Sequence, residues 1–421
     1  MYKKTTLENG LRIITVPSKN TKAVSVLALV GTGSKYETKE ENGISHFLEH
    51  MFFKGTEKRP TPLDVVETLD KVGGIFNAFT SKELTGYWAK VDSRHFELAL
   101  DWVSDISLNS KFPSKEIEKE KGVIIEEINM YLDTPMSYIL DLWEKLLYGD
   151  QPAGWLTIGT KKNVLGFKRD NFVDYIGDHY SSKNTVVCVA GNIDEEEAIK
   201  KAKDYFSGIN EKDNKSKIPV EEKQEKPNIL LHHKETDQTH LCLGVRGFDL
   251  FDKRKFSQSV LATILGGFMS SRLFMSVREE RGLAYYIKSV SDSSTDAGYL
   301  VTRAGVDHKK AEEAVKVIVE EYRKIREEGV GEKELCKAKD YIRGTLTLSL
   351  ESSDALASFY AVQEVLEGKA LTPEDKFKEL EKLTREDLQK VAKEMFKPEN
   401  LNLALIGPFK DKERFEKILN I

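Results

Sequence analysis

Two kinds of hydrophobic spacing divide the chain. Residues 11–16 (LRIITV) and 24–30 (VSVLALV) alternate or run apolar with β-branched side chains, as strands do. Thr61-Pro62 ahead of LDVVETLDKV, closed by Gly73-Gly74, supplies an N-cap, a first-turn proline and a glycine stop, which predicts a helix between them. Residues 75–91 (IFNAFTSKELTGYWAKV) predict two strands joined by a polar turn, and helical spacing dominates from 96 to about 147. Strands and helices come in runs and do not alternate strictly. That argues for an α+β fold, helices packed on a mainly antiparallel sheet, and against a doubly wound parallel one.

The pattern lapses near the midpoint. Residues 209–228 (INEKDNKSKIPVEEKQEKPN) hold too few apolar side chains to bury a face and read as a polar linker. On either side the sequence repeats itself. KRDNFVDYIGDHYSSKNTVVCVAG (168–191) and TREDLQKVAKEMFKPENLNLALIG (384–407) share a charged helix start, an aromatic helix end, an Asn, an apolar strand and a Gly at a constant offset of 216. Segments 116–135 and 334–353 align at an offset of 218. Two related domains are expected, 1–208 and 229–421, joined by 209–228.

Composition narrows the function. The length of 421 residues allows two or three domains, and a net charge of −5 without a basic stripe gives no nucleic-acid footprint. No secretory h-region follows the charged start, and the apolar run at 23–30 is too short to span a membrane. Cys188, Cys242 and Cys336 are widely spaced and odd in number, so they read as small core residues in a reducing cytoplasm.

The chemistry begins at His46-Phe47-Leu48-Glu49-His50. On a helix His46 and His50, four apart, share a face and can aim two imidazoles at one ion. Glu49 flanks the pair as a candidate general base, which makes this the inverted zincin pattern H-x-x-E-H. A catalytic zinc typically takes three protein ligands and keeps an open position, so a third donor is needed. In EIEKEKGVIIEEINMYL, starting at 116, Glu127 falls among Val123, Ile124 and Tyr131 on the apolar face of the helix. A buried carboxylate must be paired or bound to metal, and a zinc ion meets that need. Glu120, two turns earlier, is placed to hydrogen-bond a ligand imidazole.

HFLEHMFFKGT, followed by VIIEEINMYLDTP with Glu127, resembles the pitrilysin (insulinase-like) zinc peptidases, and the short bacterial relatives of the mitochondrial processing peptidase beta subunit above all. NGLRIITV, FNAFTSKELTGYW and GGFMSSRLFMSVREERGLAYYIKS extend the resemblance over nearly the whole chain. It implies one zinc per chain on His46, His50 and Glu127, with Glu49 activating a water and Glu120 assisting. It also implies substrate contacts at Asn77 and Ala78, where an extended peptide adds to an edge strand, and at Arg278 and Tyr285, which bind substrate and the developing oxyanion.

The second half carries no equivalent ligand set: Ala262-Thr263-Ile264 stand opposite His46, and Arg343, Gly344 or Thr345 opposite Glu127. The resemblance implies that a chain with two such domains is half of a closing chamber, so a zinc endopeptidase is expected to work as a homodimer in which Arg278 and Tyr285 of one subunit serve the other's zinc. The alternatives are a non-catalytic structural or partner subunit, or an active subunit that needs a different, inactive partner chain.

Overall fold

The computed structural model describes residues 2–419, which form two compact units. The first contains six strands: β1 (Lys3–Thr6), β2 (Arg12–Pro17), β3 (Ala23–Val30), β4 (Ile75–Thr80), β5 (Thr85–Asp92) and β6 (Thr185–Gly191). They are ordered β1-β2-β6-β3-β5-β4; β2 and β6 run parallel and every other pair is antiparallel. The second contains β7 (Asn228–His233), β8 (Thr239–Arg246), β9 (Ala284–Ser293), β10 (Gly298–Val306) and β11 (Leu401–Gly407), ordered β7-β11-β8-β10-β9. Here too one pair, β7 and β11, is parallel. The fold is α+β, with two mixed, mainly antiparallel sheets.

The repeat is visible in the elements themselves. Helix Arg169–His179 leads into β6, and helix Arg385–Met395 leads into β11, with every bound displaced by 216. At the offset of 218, helix Pro135–Tyr148 corresponds to helix Ser353–Glu367. These last two helices have changed places. Ser353–Glu367 packs its Ala357, Tyr360 and Ala361 with Ile14, Leu27, Leu29, Val186 and Cys188 of the first unit. Pro135–Tyr148 packs Ile139, Leu142 and Trp143 with Cys242, Val301, Ala404 and Ile406 of the second.

Each unit is thus built from three stretches of chain. The first comprises the residues up to Asn129, Trp155–Ile218 and Thr347–Leu371, and the second the remainder. The expected continuous halves differ from this division by the two exchanged segments, because an apolar helix face is buried wherever a matching sheet face is open. Residues 209–227 carry no helix or strand, and the chain passes from one unit to the other at Pro219.

Local signals read correctly at Thr61, which caps helix Pro62–Asp70 through a reciprocal pair of bonds with Asp64, and at 75–91, which forms β4 and β5. Cys188 and Cys242 are core residues, whereas Cys336 is exposed, a correction to its expected burial: it lies on the solvent side of helix Glu332–Ser349, where Leu335 and Ala338 face inward. No helix among the described residues is long and apolar enough to cross a membrane.

Candidate metal centre

Helix Ile44–Met51 buries Ile44, Phe47, Leu48 and Met51, spaced so that one stripe faces the core. His46, Glu49 and His50 are left on the opposite, half-buried side. The chain enters through Gly43 at φ +101°, and a Cβ there would stand 2.8 Å from the Gly159 backbone, so only glycine suits the approach.

Three side chains, His46, His50 and Glu127, each bring a ligand atom to within 4.8 Å of the others beside this helix. Nε2 of His46 is 3.6 Å from Oε1 of Glu127, and Nε2 of His50 is 3.4 Å from Oε2. Ligands bound tetrahedrally at zinc's usual bond lengths lie about 3.4 Å from one another. Two imidazoles and one carboxylate at this spacing therefore suit a zinc ion, and their chemistry is the His2Glu set of catalytic sites. Hydrogen bonds from His46 and His50 hold the Glu127 carboxyl down at about 2. Burial disfavours charge on His50, but Glu120 and Glu127 outweigh it and push the imidazole up to about 9.

Behind His50 stands a second carboxylate. Its Nδ1–H donates to Oε1 of Glu120 at 3.0 Å, which leaves Nε2 facing forward, and Oε2 of Glu120 accepts from Lys54 Nζ at 2.7 Å. Burial works against charge on Glu120, yet His50 and Lys54 overcome it and hold the carboxyl below its usual range. Nδ1 of His46, by contrast, is buried with no hydrogen-bond partner among the described residues. The buried Tyr87 and Tyr180 have hydroxyls 3.2 Å apart; burial and then the other tyrosine push Tyr87 up, burial dominates at Tyr180, and both feel the Glu49 charge.

The helix carrying Glu127, Ser114–Leu132, departs from the sequence reading. Its buried stripe is Ile117, Glu120, Lys121, Ile124 and Ile128. Val123 is 52% exposed, Met130 and Tyr131 are exposed as well, and the Glu127 side chain is 25% exposed against 8% for Glu120. Glu127 thus sits on the open flank of the helix, and the more deeply buried acid is Glu120. Apolar residues at 123, 130 and 131 widened the apparent apolar face beyond the stripe that packs.

Asn77 and Ala78 lie on β4, an edge strand paired only with β5. The Asn77 side chain accepts the Ala78 N–H at 2.9 Å and so occupies a donor that no neighbouring strand uses. Arg278 and Tyr285 belong to the second unit. Arg278 lies in the last turn of a π-helical segment, Phe274–Glu279, its guanidinium 4.8 Å over the Phe274 ring. Tyr285 falls where the β9–β10 register slips: Val306 pairs with Ala284 and Gly305 with Tyr286, so Tyr285 is bulged out of the ladder and 73% exposed.

Sequence reasoning passed over Lys54 and Glu37. Lys54 is four residues after His50, in the turn just beyond the end of the helix, and that closeness was its signal. Glu37 accepts hydrogen bonds from the start of the metal helix, and no short motif marks it.

Residues 12–161 match the family model described as insulinase (peptidase family M16), and 166–342 the model described as the peptidase M16 inactive domain. The chain is 38% identical to the uncharacterized zinc protease YmxG of Bacillus subtilis, over 97% of this chain and 98% of that one. This chain belongs to the insulinase (M16) peptidase family. An uncharacterized zinc protease of Rickettsia felis is 35% identical to this M16 member over 96% of each chain. Among solved structures, a protease from Helicobacter pylori superposes with a TM-score of 0.90 at 25% identity, covering 97% of this chain and all of that one. A chain of complex III2 from Candida albicans, Inz-5 bound, reaches 0.85 at 19% identity with 99% of each covered, a likeness of fold alone.

Proposed function

We propose that this M16 member is a zinc-dependent endopeptidase that hydrolyses unfolded peptides or small protein segments. The observation that carries the reading is the convergence of ligand atoms of His46, His50 and Glu127 within 4.8 Å of one another, with Glu49 between the two histidines in sequence. The zinc protease names of relatives over nearly the full length support it.

When bound, zinc supplies Lewis acidity, polarising the scissile carbonyl and acidifying a water. Glu49 takes the attacking water's proton and hands it to the leaving nitrogen. Glu120 holds His50 in the tautomer that offers Nε2. The peptide lies extended along the free edge of β4 and displaces the Asn77 side chain from the Ala78 amide, so main-chain bonds hold it with little regard to sequence. Arg278 and Tyr285 bind the substrate and the developing oxyanion. We place one zinc in each chain and the working enzyme, a cytoplasmic homodimer, around a chamber to which each subunit lends these two residues.

The test is Glu49→Gln in metal-loaded protein against a quenched fluorogenic peptide. Metal content is expected to match wild type and cleavage to fall by about 10²–10⁴-fold; retained cleavage would sink the mechanism. Activity of the purified chain alone separates a homodimer from a pairing with an inactive partner. Mixing Glu49→Gln with Arg278→Ala subunits tests the exchange of residues, which fails if no activity returns.

A further inference from the structure

We propose that Glu37 is a positioning residue for the metal helix, holding Ile44–Met51 in the register that aims His46, Glu49 and His50. Glu37 lies in the loop ahead of that helix, with its side chain buried. Oε2 accepts the Gly43 N–H at 2.8 Å and the Asn42 side-chain amide at 3.0 Å, and Oε1 accepts the Ser45 N–H at 2.9 Å.

A helix leaves its first amides without partners, and an N-cap side chain ordinarily takes one. Here the N-cap is Gly43, which has no side chain to offer. A carboxyl six residues upstream performs that task, and once ionised it places a negative charge at the positive end of the helix. The bonds fix more than the helix start. Ser45 is also held at its hydroxyl, 2.8 Å from the Tyr175 hydroxyl, and at its carbonyl, which accepts from Thr80 Oγ1 of β4 at 3.4 Å. With its N–H on Glu37, Ser45 is pinned at three atoms by three separate segments, and the next residue is His46. Rotation of the helix about its axis, or a slide along it, breaks at least one of these bonds.

The residue type matters as much as its place. Among the described residues no ion pair balances Glu37, so an ionised carboxyl there depends on N–H donors. In the ionised carboxylate both oxygens accept and neither donates. A glutamine would set its own N–H₂ against either Gly43 or Ser45 and release one side of the tether.

The assignment rests on the metal-site reading, and the experiment keeps the two apart. Glu37→Gln and Glu37→Asp are made in the full chain, with Glu364→Gln as control, a buried carboxylate of the same unit that pairs with Lys4 and Arg12. Two quantities are read at pH 8, where the Glu37 carboxyl is ionised, beside the melting temperature. One is the visible spectrum and affinity of bound Co²⁺, and the other is amide exchange across residues 44–51 in metal-free protein. Glu37→Gln is expected to weaken Co²⁺ binding about tenfold, to alter its spectrum, and to speed exchange in that helix about tenfold while β3 and β6 exchange as in wild type. Glu37→Asp, one methylene shorter, should change both in the same direction, and it carries the test if the glutamine variant does not fold. Glu364→Gln should move only the melting temperature. If the Glu37 variants match wild type in spectrum, affinity and exchange, whatever their melting temperatures, Glu37 is a structural residue and the proposal is wrong. Should wild type take up no Co²⁺, the metal reading fails, while exchange in residues 44–51 still decides the tether.

Discussion

Replacing Glu120 by glutamine sets two donors in competition for one oxygen. In wild type each carboxylate oxygen has its own partner, His50 Nδ1–H at 3.0 Å and Lys54 Nζ at 2.7 Å. Glutamine keeps a single acceptor, and the lysine, whose amino group only donates, takes it. The amide N–H₂ then faces Nδ1 of His50 and forces the proton onto Nε2, the atom that must bind metal. Loss of such a supporting partner costs about 10–100-fold in metal affinity, or roughly 1.4–2.7 kcal/mol. Competition against a calibrated chelator at neutral pH measures this directly. The decisive comparison is the double variant Glu120→Gln, Lys54→Met. With the lysine removed, the glutamine can turn its oxygen back to His50, so the double variant should bind zinc more tightly than Glu120→Gln alone. A change below about threefold in the single variant, or further weakening in the double, refutes the tautomer argument.

Three other outcomes follow from the packing and charges. Burial pushes the Glu37 carboxyl up to about 7, against the pull of Gly43, Ser45 and Asn42, while its titratable neighbours Tyr175 and Tyr180 are pushed up and stay neutral. A carboxyl raised on folding contributes stability that is complete below its ordinary value near 4.5 and is lost as pH climbs through 7. The melting temperature of metal-free wild type should therefore fall relative to Glu37→Gln between those pH values, and parallel curves would contradict this. Trp143→Ala empties a fully buried site and should cost about 3–5 kcal/mol by urea unfolding. Its damage should show as faster amide exchange in β8 and β11, not in β3 and β6, although Trp143 precedes the linker in sequence. Tyr360→Ala should do the reverse, loosening β3 and β6.

Much of this was legible in the chain because it is written in local chemistry. The pair His46 and His50, the Thr61 cap and the 216-residue repeat each depend on residues close in sequence or identical in spacing. The stripe on helix Ser114–Leu132 was harder to read: its exposed apolar residues, Val123, Met130 and Tyr131, cannot be told from buried ones by periodicity. Nor could spacing reveal that helices 135–148 and 353–367 trade places, since either helix presents an apolar face that suits either sheet. Glu37 escaped notice because a capping carboxylate usually stands next to its helix, and this one acts across a loop.

The traded helices also bear on what happens when the backbone is cut. The chain changes unit at 129/130, 154/155, 218/219, 346/347 and 371/372. A nick in the irregular stretch 209–227 severs only one of these passages. Each fragment would still thread a helix through the other's core, Trp143 in one direction and Tyr360 in the other. To part, the fragments would have to draw both helices out of apolar surroundings into water. A protein clipped at its midpoint should therefore migrate as one particle in native conditions and as two bands in denaturant, behaving as a clasp whose strength does not depend on its seam.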